Sequence, residues 1–216
     1  MSLKREDLLL YAVTDRSWLN GRTLYSQVAE ALAGGVTMIQ LREKDLDYES
    51  FKAEAIEIQE LCRQYKVPFL INDNVELAME IDADGVHVGQ SDLEAGKVRK
   101  LLGPDKIIGV TAKTVEQARK AQAMGADYLG SGAVFGTSTK KDAKPMSMEL
   151  LKEITASVDI PVVAIGGVTR NNLTKLHGSG VAGAAIVSGI FAADDIAQEC
   201  RLLKLILKQL VVNQDN

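Results

Sequence analysis

Eight apolar runs recur along this chain, separated by stretches with helical spacing, and no linker interrupts the alternation. The runs are Leu8–Thr14, Thr37–Arg42, Pro68–Asn72, Gly85–Val88, Ile107–Thr111, Tyr128–Gly130, Val162–Ile165 and Ala184–Ser188. Each has the length and composition of a buried β-strand. Helical patterns lie between or after them, as at Tyr48–Gln64, Val115–Met124, Met148–Ser157 and Asp194–Val212. Strand–helix repetition in 216 residues predicts an α/β fold, a single (β/α)8 TIM barrel spanning 1–216. The competing architecture is an open doubly wound sheet. No Gly-x-Gly-x-x-Gly turn follows the first strand, which weakens its dinucleotide-binding version.

A short signature precedes several strands. Gly34-Gly35-Val36, Gly125-Ala126-Asp127 and Gly180-Val181-Ala182 each close a helical run and open a strand. Glycine accepts the left-handed conformation that ends a helix. Asp82-Ala83-Asp84-Gly85 is a variant without the leading glycine.

In a barrel the carboxyl ends of all strands converge on one face. Polar residues gather at those ends here. Alternation on the second strand turns Ile39 and Leu41 toward the helices, and Gln40 and Arg42 toward the barrel axis. Lys44 follows in the loop. Arginine grips two phosphate oxygens and lysine adds a point charge; an internal ion pair is the other use for Arg42. Asp73 ends the third strand and Asp92 follows the fourth. Either carboxylate suits Mg²⁺, or simply caps a helix. Beside two cations, the pair fits a shared metal–diphosphate site.

Thr111 ends the fifth strand with a hydroxyl able to bond a phosphate, while Thr114 reads as a helix cap. Lys113 reads as a solvated charge. Ser131 to Pro145 is the longest break in the alternation and carries Thr137, Ser138, Thr139, Lys140 and Lys141. Such long loops commonly carry function. Gly166-Gly167 and Val187-Ser188-Gly189 end the last two strands, where barrels often bind phosphate. His87 reads as a hydrogen-bonded residue inside the barrel, and His177 as a surface residue near a helix end.

The formal charge of −4 argues against a nucleic-acid partner. No run approaches the ~20 apolar residues of a membrane span, and no signal-peptide cleavage site follows Leu8 to Val13. Cys62 and Cys200 have no metal-ligand spacing and read as buried thiols in a reducing compartment, the cytoplasm. No nucleophile–base pair stands out, so charge stabilisation is the expected catalytic resource.

These motifs resemble the thiamine-phosphate synthase family over nearly the whole chain. Its marks are Gln40-Leu41-Arg42-Glu43-Lys44, Ile71-Asn72-Asp73, His87-Val88-Gly89-Gln90-Ser91-Asp92, Thr137-Ser138-Thr139-Lys140-Lys141-Asp142 and Ile165-Gly166-Gly167. The resemblance implies a (β/α)8 enzyme that joins hydroxymethylpyrimidine diphosphate to thiazole phosphate, or to its carboxylated form, and releases diphosphate. It implies that Gln40, Arg42, Lys44, Asn72 and Lys140 hold the pyrimidine diphosphate, with Leu41 and Glu43 in the same binding segment. Asp73 and Asp92 would bind Mg²⁺. Thr137, Ser138, Thr139, Gly167, Val187 and Ser188 would line the thiazole-phosphate site. Arg42, Lys44, Lys140 and Thr111 would act in catalysis, Thr111 standing where the family usually has serine. Gly136 stands where relatives often have proline. The implied partners are these small substrates, with neither nucleic acid nor membrane; a homo-oligomer is compatible. The alternatives are a thiazole tautomerase, which lacks the full Asn-Asp motif and uses a histidine at the barrel mouth, and a noncatalytic sensor of phosphorylated ligands.

Overall fold

The computed structural model describes residues 3–90, 92–136 and 145–212. Strands β1 (Leu10–Val13), β2 (Met38–Leu41), β3 (Phe69–Asn72), β4 (Gly85–Val88), β5 (Ile107–Thr111), β6 (Tyr128–Gly132), β7 (Val162–Ile165) and β8 (Gly183–Ile186) pair in sequence order. Every pairing is parallel, and β8 returns to β1 to close the barrel. The closed ring is the architecture expected from the alternation of apolar runs.

The described helices around it are α1 (Leu24–Ala33), α2 (Tyr48–Tyr65), α3 (Val75–Glu80), α4 (Ala95–Leu102), α5 (Val115–Ala123), α6 (Met148–Ala156), α7 (Ser188–Phe191) and α8 (Ile196–Val212). On α2, Phe51, Ala55, Ile58 and Cys62 recur at three- and four-residue spacing and are buried against the barrel. Asp47 caps that helix, its carboxylate accepting from Ser50 N at 3.0 Å. Such a cap contributes about 1 kcal/mol.

Two apolar layers result. Outward residues such as Ile39, Leu41, Ile71 and Leu129 join the helices in one core. Inward residues form a second, built from Leu8, Tyr11, Met38, Leu70, Ile107, Tyr128 and Val163. Leu8 belongs to a 3-10 turn, Arg5–Leu8, and not to β1 as its apolar neighbours suggested. From that turn it plugs the barrel interior, fully buried. Likewise Ser188 leaves β8 to open α7. Between β7 and β8 the described helical element is a 3-10 turn, Leu173–Leu176, followed by Gly178 and Gly180 at positive φ.

The rim opposite the site is pinned by a repeated contact. Thr37, Asp84 and Asp127 each precede an even-numbered strand. Their side chains accept from Leu10 N, Phe69 N and Ile108 N at 2.9, 2.9 and 2.7 Å. The variant Asp82-Ala83-Asp84-Gly85 places Asp82 itself at φ 53°, doing what glycine does at Gly35, Gly125 and Gly180. No described helix is long and apolar enough to cross a membrane.

Candidate active site

The barrel's carboxyl end opens into a cavity of about 590 Å³. Every strand supplies wall: Val13, Gln40, Asn72, His87, Thr111, Gly130 with Gly132, Ile165 and Ala185. The loops beyond add Arg42, Lys44, Asp73, Asp92, Gly167, Val187 and Ser188. One side is cationic and acidic, and the other, toward β7 and β8, is mostly apolar.

Strand alternation explains the second-strand segment. Gln40 is buried inside the barrel and donates its amide N–H to the Tyr11 hydroxyl. Arg42 lines the cavity while its guanidinium donates to Asp15 Oδ2 at 2.9 Å. The internal ion pair and the cavity position therefore coexist. The neighbouring residues repeat the exchange with reversed sign: Arg16 pairs with Glu43, and also with Glu54 at 2.6 Å. The two loops after β1 and β2 are thus crossed by Asp15–Arg42 and Arg16–Glu43.

This arrangement turns two of the side chains in the expected binding segment away from the cavity. The Leu41 side chain is fully buried in the barrel–helix core, because its neighbours Gln40 and Arg42 take the inward side. The Glu43 carboxylate is only 3% exposed, because Arg16 holds it away from the cavity. It also accepts from the backbone N–H groups of Lys44 and Asp45. Glu43 thus orders the loop carrying Lys44.

Lys44 reaches across the mouth to Asp73, with Nζ 2.7 Å from Oδ2. Asp73 occupies the left-handed region at φ 60°, which aspartate tolerates better than most residues. Its N–H donates to His87 O at 2.8 Å. The helix-capping role falls to the next residue: Asn74 Oδ1 accepts from Leu77 N at 2.9 Å and starts α3. Asp92 does not cap a helix either. Its Oδ2 accepts from Gly89 N at 2.6 Å, and α4 begins after Glu94.

Asp73 and Asp92 lie close enough to perturb each other's ionisation. Burial opposes ionisation of Asp73, but Lys44 and Asp92 together outweigh it and hold its carboxyl below the usual range. Burial, with the charge of Asp73 nearby, pushes Asp92 up. Two carboxyl groups whose ionisation is shifted in opposite directions thus stand together beside the Lys44 ammonium. Among the described residues no group of three or more His, Cys, Asp or Glu could hold a metal. The two-carboxylate pair Asp73–Asp92 nonetheless fits Mg²⁺, which often takes one or two protein carboxylates and completes its shell with phosphate and water.

Thr111 lines the cavity and its hydroxyl lies 3.0 Å from His87 Nε2. His87 Nδ1 lies 2.9 Å from the Tyr128 hydroxyl, so the histidine is the hydrogen-bonded interior residue expected. Thr114 caps α5 as expected, accepting from Gln117 N at 3.1 Å. Lys113 is exposed yet lines the cavity.

Gly167 has φ 67°, and a Cβ there would lie 1.9 Å from Gly136 O. The glycine therefore makes room for the loop after β6. Thr137, Ser138, Thr139 and Lys140 lie outside the described residues.

Sequence reasoning gave no site role to Tyr11, Asp15, Arg16 or Tyr128. Asp15-Arg16 directly follows the first strand, and its opposite charges mirror Arg42-Glu43. That complementarity was the available signal.

The chain's residues 10–190 match the family model described as thiamine monophosphate synthase. The chain belongs to that family. The thiamine-phosphate synthase of Clostridium acetobutylicum is 47% identical over 207 residues, covering 96% of this chain and 98% of that protein. The one from Clostridium tetani is also 47% identical, over 94% of this chain and 97% of its own. A solved structure, the thiamine phosphate pyrophosphorylase from Pyrococcus furiosus, superposes with a TM-score of 0.88 at 36% identity, covering 96% of this chain and 98% of that one. Membership in the thiamine monophosphate synthase family makes the chain an enzyme, a transferase that forms thiamine phosphate.

Proposed function

We propose that the cavity joins hydroxymethylpyrimidine diphosphate to thiazole phosphate and releases diphosphate, with Mg²⁺ held by Asp73 and Asp92. The observation carrying this reading is the Lys44–Asp73–Asp92 cluster on the cavity rim, beside Arg42. When bound, Mg²⁺ would neutralise charge on the leaving diphosphate.

The chain's own residues supply the rest. Arg42, fixed by Asp15, and Lys44, on the loop ordered by Glu43, present cations to diphosphate oxygens. Asn72 and Thr111 add hydrogen-bonding groups from β3 and β5. Preorganised charge of this kind acts most strongly where charge develops, on the departing diphosphate. The aminopyrimidine ring delocalises the positive charge left behind, so substitution proceeds by dissociation, and the thiazole nitrogen attacks the resulting cation. No protein nucleophile is required. Val13, Ile165, Val168 and Ala185 give the opposite wall an apolar lining that limits water near that cation. Lys140 and the hydroxyls of Thr137, Ser138 and Thr139 complete the reading from the sequence. Thiazole phosphate takes the side of Gly167, Val187 and Ser188.

A tautomerase would need a histidine acting at the mouth. Lys113 stands after Thr111, and His87 is engaged by Tyr128 and Thr111. An assay with both substrates, Mg²⁺ and diphosphate detection tests the proposal. Diphosphate release that requires all three components is expected. Proton exchange on the thiazole without diphosphate release would overturn it in favour of the tautomerase.

A further inference from the structure

Along the floor of the cavity, five polar side chains from five strands or strand ends form a continuous line. Gln40 Nε2 meets the Tyr11 hydroxyl, which lies 2.7 Å from that of Tyr128. Tyr128 lies 2.9 Å from His87 Nδ1, and His87 Nε2 lies 3.0 Å from Thr111 Oγ1. Both tyrosines are fully or almost fully buried.

The barrel is built around this line. A Cβ on Gly109 would fall 2.1 Å from the Tyr128 ring, and one on Gly130 would fall 3.1 Å from His87 Cε1. These positions leave room that a larger residue would fill.

Hydrogen-bond chemistry gives the line a direction. A primary amide nitrogen donates and does not accept, so Tyr11 must accept from Gln40. Tyr11 has one proton, and among the described residues Tyr128 is the acceptor within reach. A Tyr128 hydroxyl that accepts from Tyr11 has its own O–H left to donate to His87 Nδ1. A neutral imidazole with Nδ1 as acceptor carries its proton on Nε2. That N–H points at Thr111 Oγ1, so the Thr111 oxygen accepts and its own proton remains to be donated. Burial pushes both phenols above their usual range, which keeps each a neutral donor.

We propose that Tyr11, Tyr128 and His87 form a one-way hydrogen-bond relay that positions Thr111, holding His87 in its Nε2–H tautomer so that the Thr111 hydroxyl donates into the cavity. The donor then faces an acceptor-rich ligand such as a phosphate. At the other end, the amide oxygen of Gln40 is left as that side chain's acceptor. Tyr11, Tyr128 and His87 are positioning residues acting through Gln40 and Thr111. This inference rests on the reading of the cavity as a diphosphate site, but its tautomer can be measured without turnover.

The chain has two histidines. Protein labelled with ¹⁵N-histidine, recorded at about pH 8, above the ordinary histidine range of about 6.5, gives two imidazole patterns, and His177→Gln identifies that of His87. A proton-bearing Nε2 and a bare Nδ1 are expected; the reverse tautomer would overturn the relay. Tyr128→Phe should abolish this preference. It should also lower kcat/KM for the pyrimidine diphosphate about tenfold, with KM for thiazole phosphate changing less than about twofold. If Tyr128→Phe does not fold, Tyr11→Phe keeps the ring, removes the proton passed to Tyr128 and should give the same result. A lost tautomer preference with unchanged kcat/KM would overturn the positioning role. If wild-type protein releases no diphosphate, the functional reading fails, while the tautomer measurement still decides the relay.

Discussion

Lys44 Nζ and Asp73 Oδ2 meet at 2.7 Å across the mouth of the barrel, joining the loop after β2 to the loop after β3. A lysine placed against the carboxylate proposed to bind Mg²⁺ favours its ionised form before any cation arrives. It also leaves a cation beside the oxygens of an incoming diphosphate.

Asp73→Asn should therefore reduce turnover on the order of 10²-fold, a loss typical of removing one preorganised electrostatic group. Asparagine is preferable to alanine here. Asp73 sits at φ 60°, a conformation asparagine tolerates and alanine adopts at a cost of about 1–2 kcal/mol. Chelation of Mg²⁺ should abolish wild-type turnover, and added Mg²⁺ should restore it. A variant whose rate and Mg²⁺ titration match wild type would remove Asp73 from the metal site.

Lys140→Ala should lower kcat/KM for the pyrimidine diphosphate by a factor corresponding to about 2–4 kcal/mol. The motive is a lysine in the hydroxyl-rich segment that follows β6 in the sequence, together with a cavity rim already carrying Arg42 and Lys44. Steady-state kinetics with saturating thiazole phosphate would measure it. An intact kcat/KM would assign Lys140 to solvent.

Cys62 and Cys200 are buried, and burial pushes both thiols up to about 12. Both should resist alkylation at about pH 8 in the native protein and react after unfolding, since the thiolate is the reactive form. The sign of the pH effect follows. An unfolded thiol ionises near about 8.5, whereas the native one does not until about 12. The thiols' contribution to stability is full below about pH 8.5 and is lost as pH rises toward the native values. Urea unfolding of wild type and a Cys62→Ala, Cys200→Ala variant should therefore show a stability gap that narrows between about pH 8 and about pH 10. A pH-independent gap would contradict the shifts.

The barrel was legible because strand burial leaves a direct mark: runs such as Ile107–Thr111 and Val162–Ile165 appear in the structure with the same bounds. Leu8 was misread because an apolar residue looks the same in a strand and in a plug. Its place depends on the barrel interior, which a local pattern does not contain. The cavity residues Gln40, Arg42, Asn72, Asp73 and Thr111 were legible from alternation and from their positions at strand ends. Glu43 was not, because its role follows from Arg16, 27 residues away in the chain. The Tyr11–Tyr128 contact is more remote still, at a separation of 117 residues.

The two ligands should occupy separable sites, and the backbone around Gly167 decides which variant can show it. Gly167→Val would seem a natural steric block at the thiazole-phosphate side. A Cβ at Gly167 would instead strike Gly136 O at 1.9 Å and Phe135 O at 2.3 Å. That substitution moves the loop after β6 and cannot report on one ligand. Ser188 is the better probe: it lines the cavity at the start of α7, and its loss leaves the β8 backbone unchanged. Ser188→Ala should weaken thiazole phosphate about tenfold, as for a lost hydrogen bond to a charged group, with little effect on the pyrimidine diphosphate. Lys44→Ala should do the opposite, because its ammonium lies at the Asp73 side of the mouth. Calorimetric titration of each ligand into each folded variant gives four affinities. Crossed losses would establish separate sites, whereas equal loss of both ligands in either variant would mean that they share one.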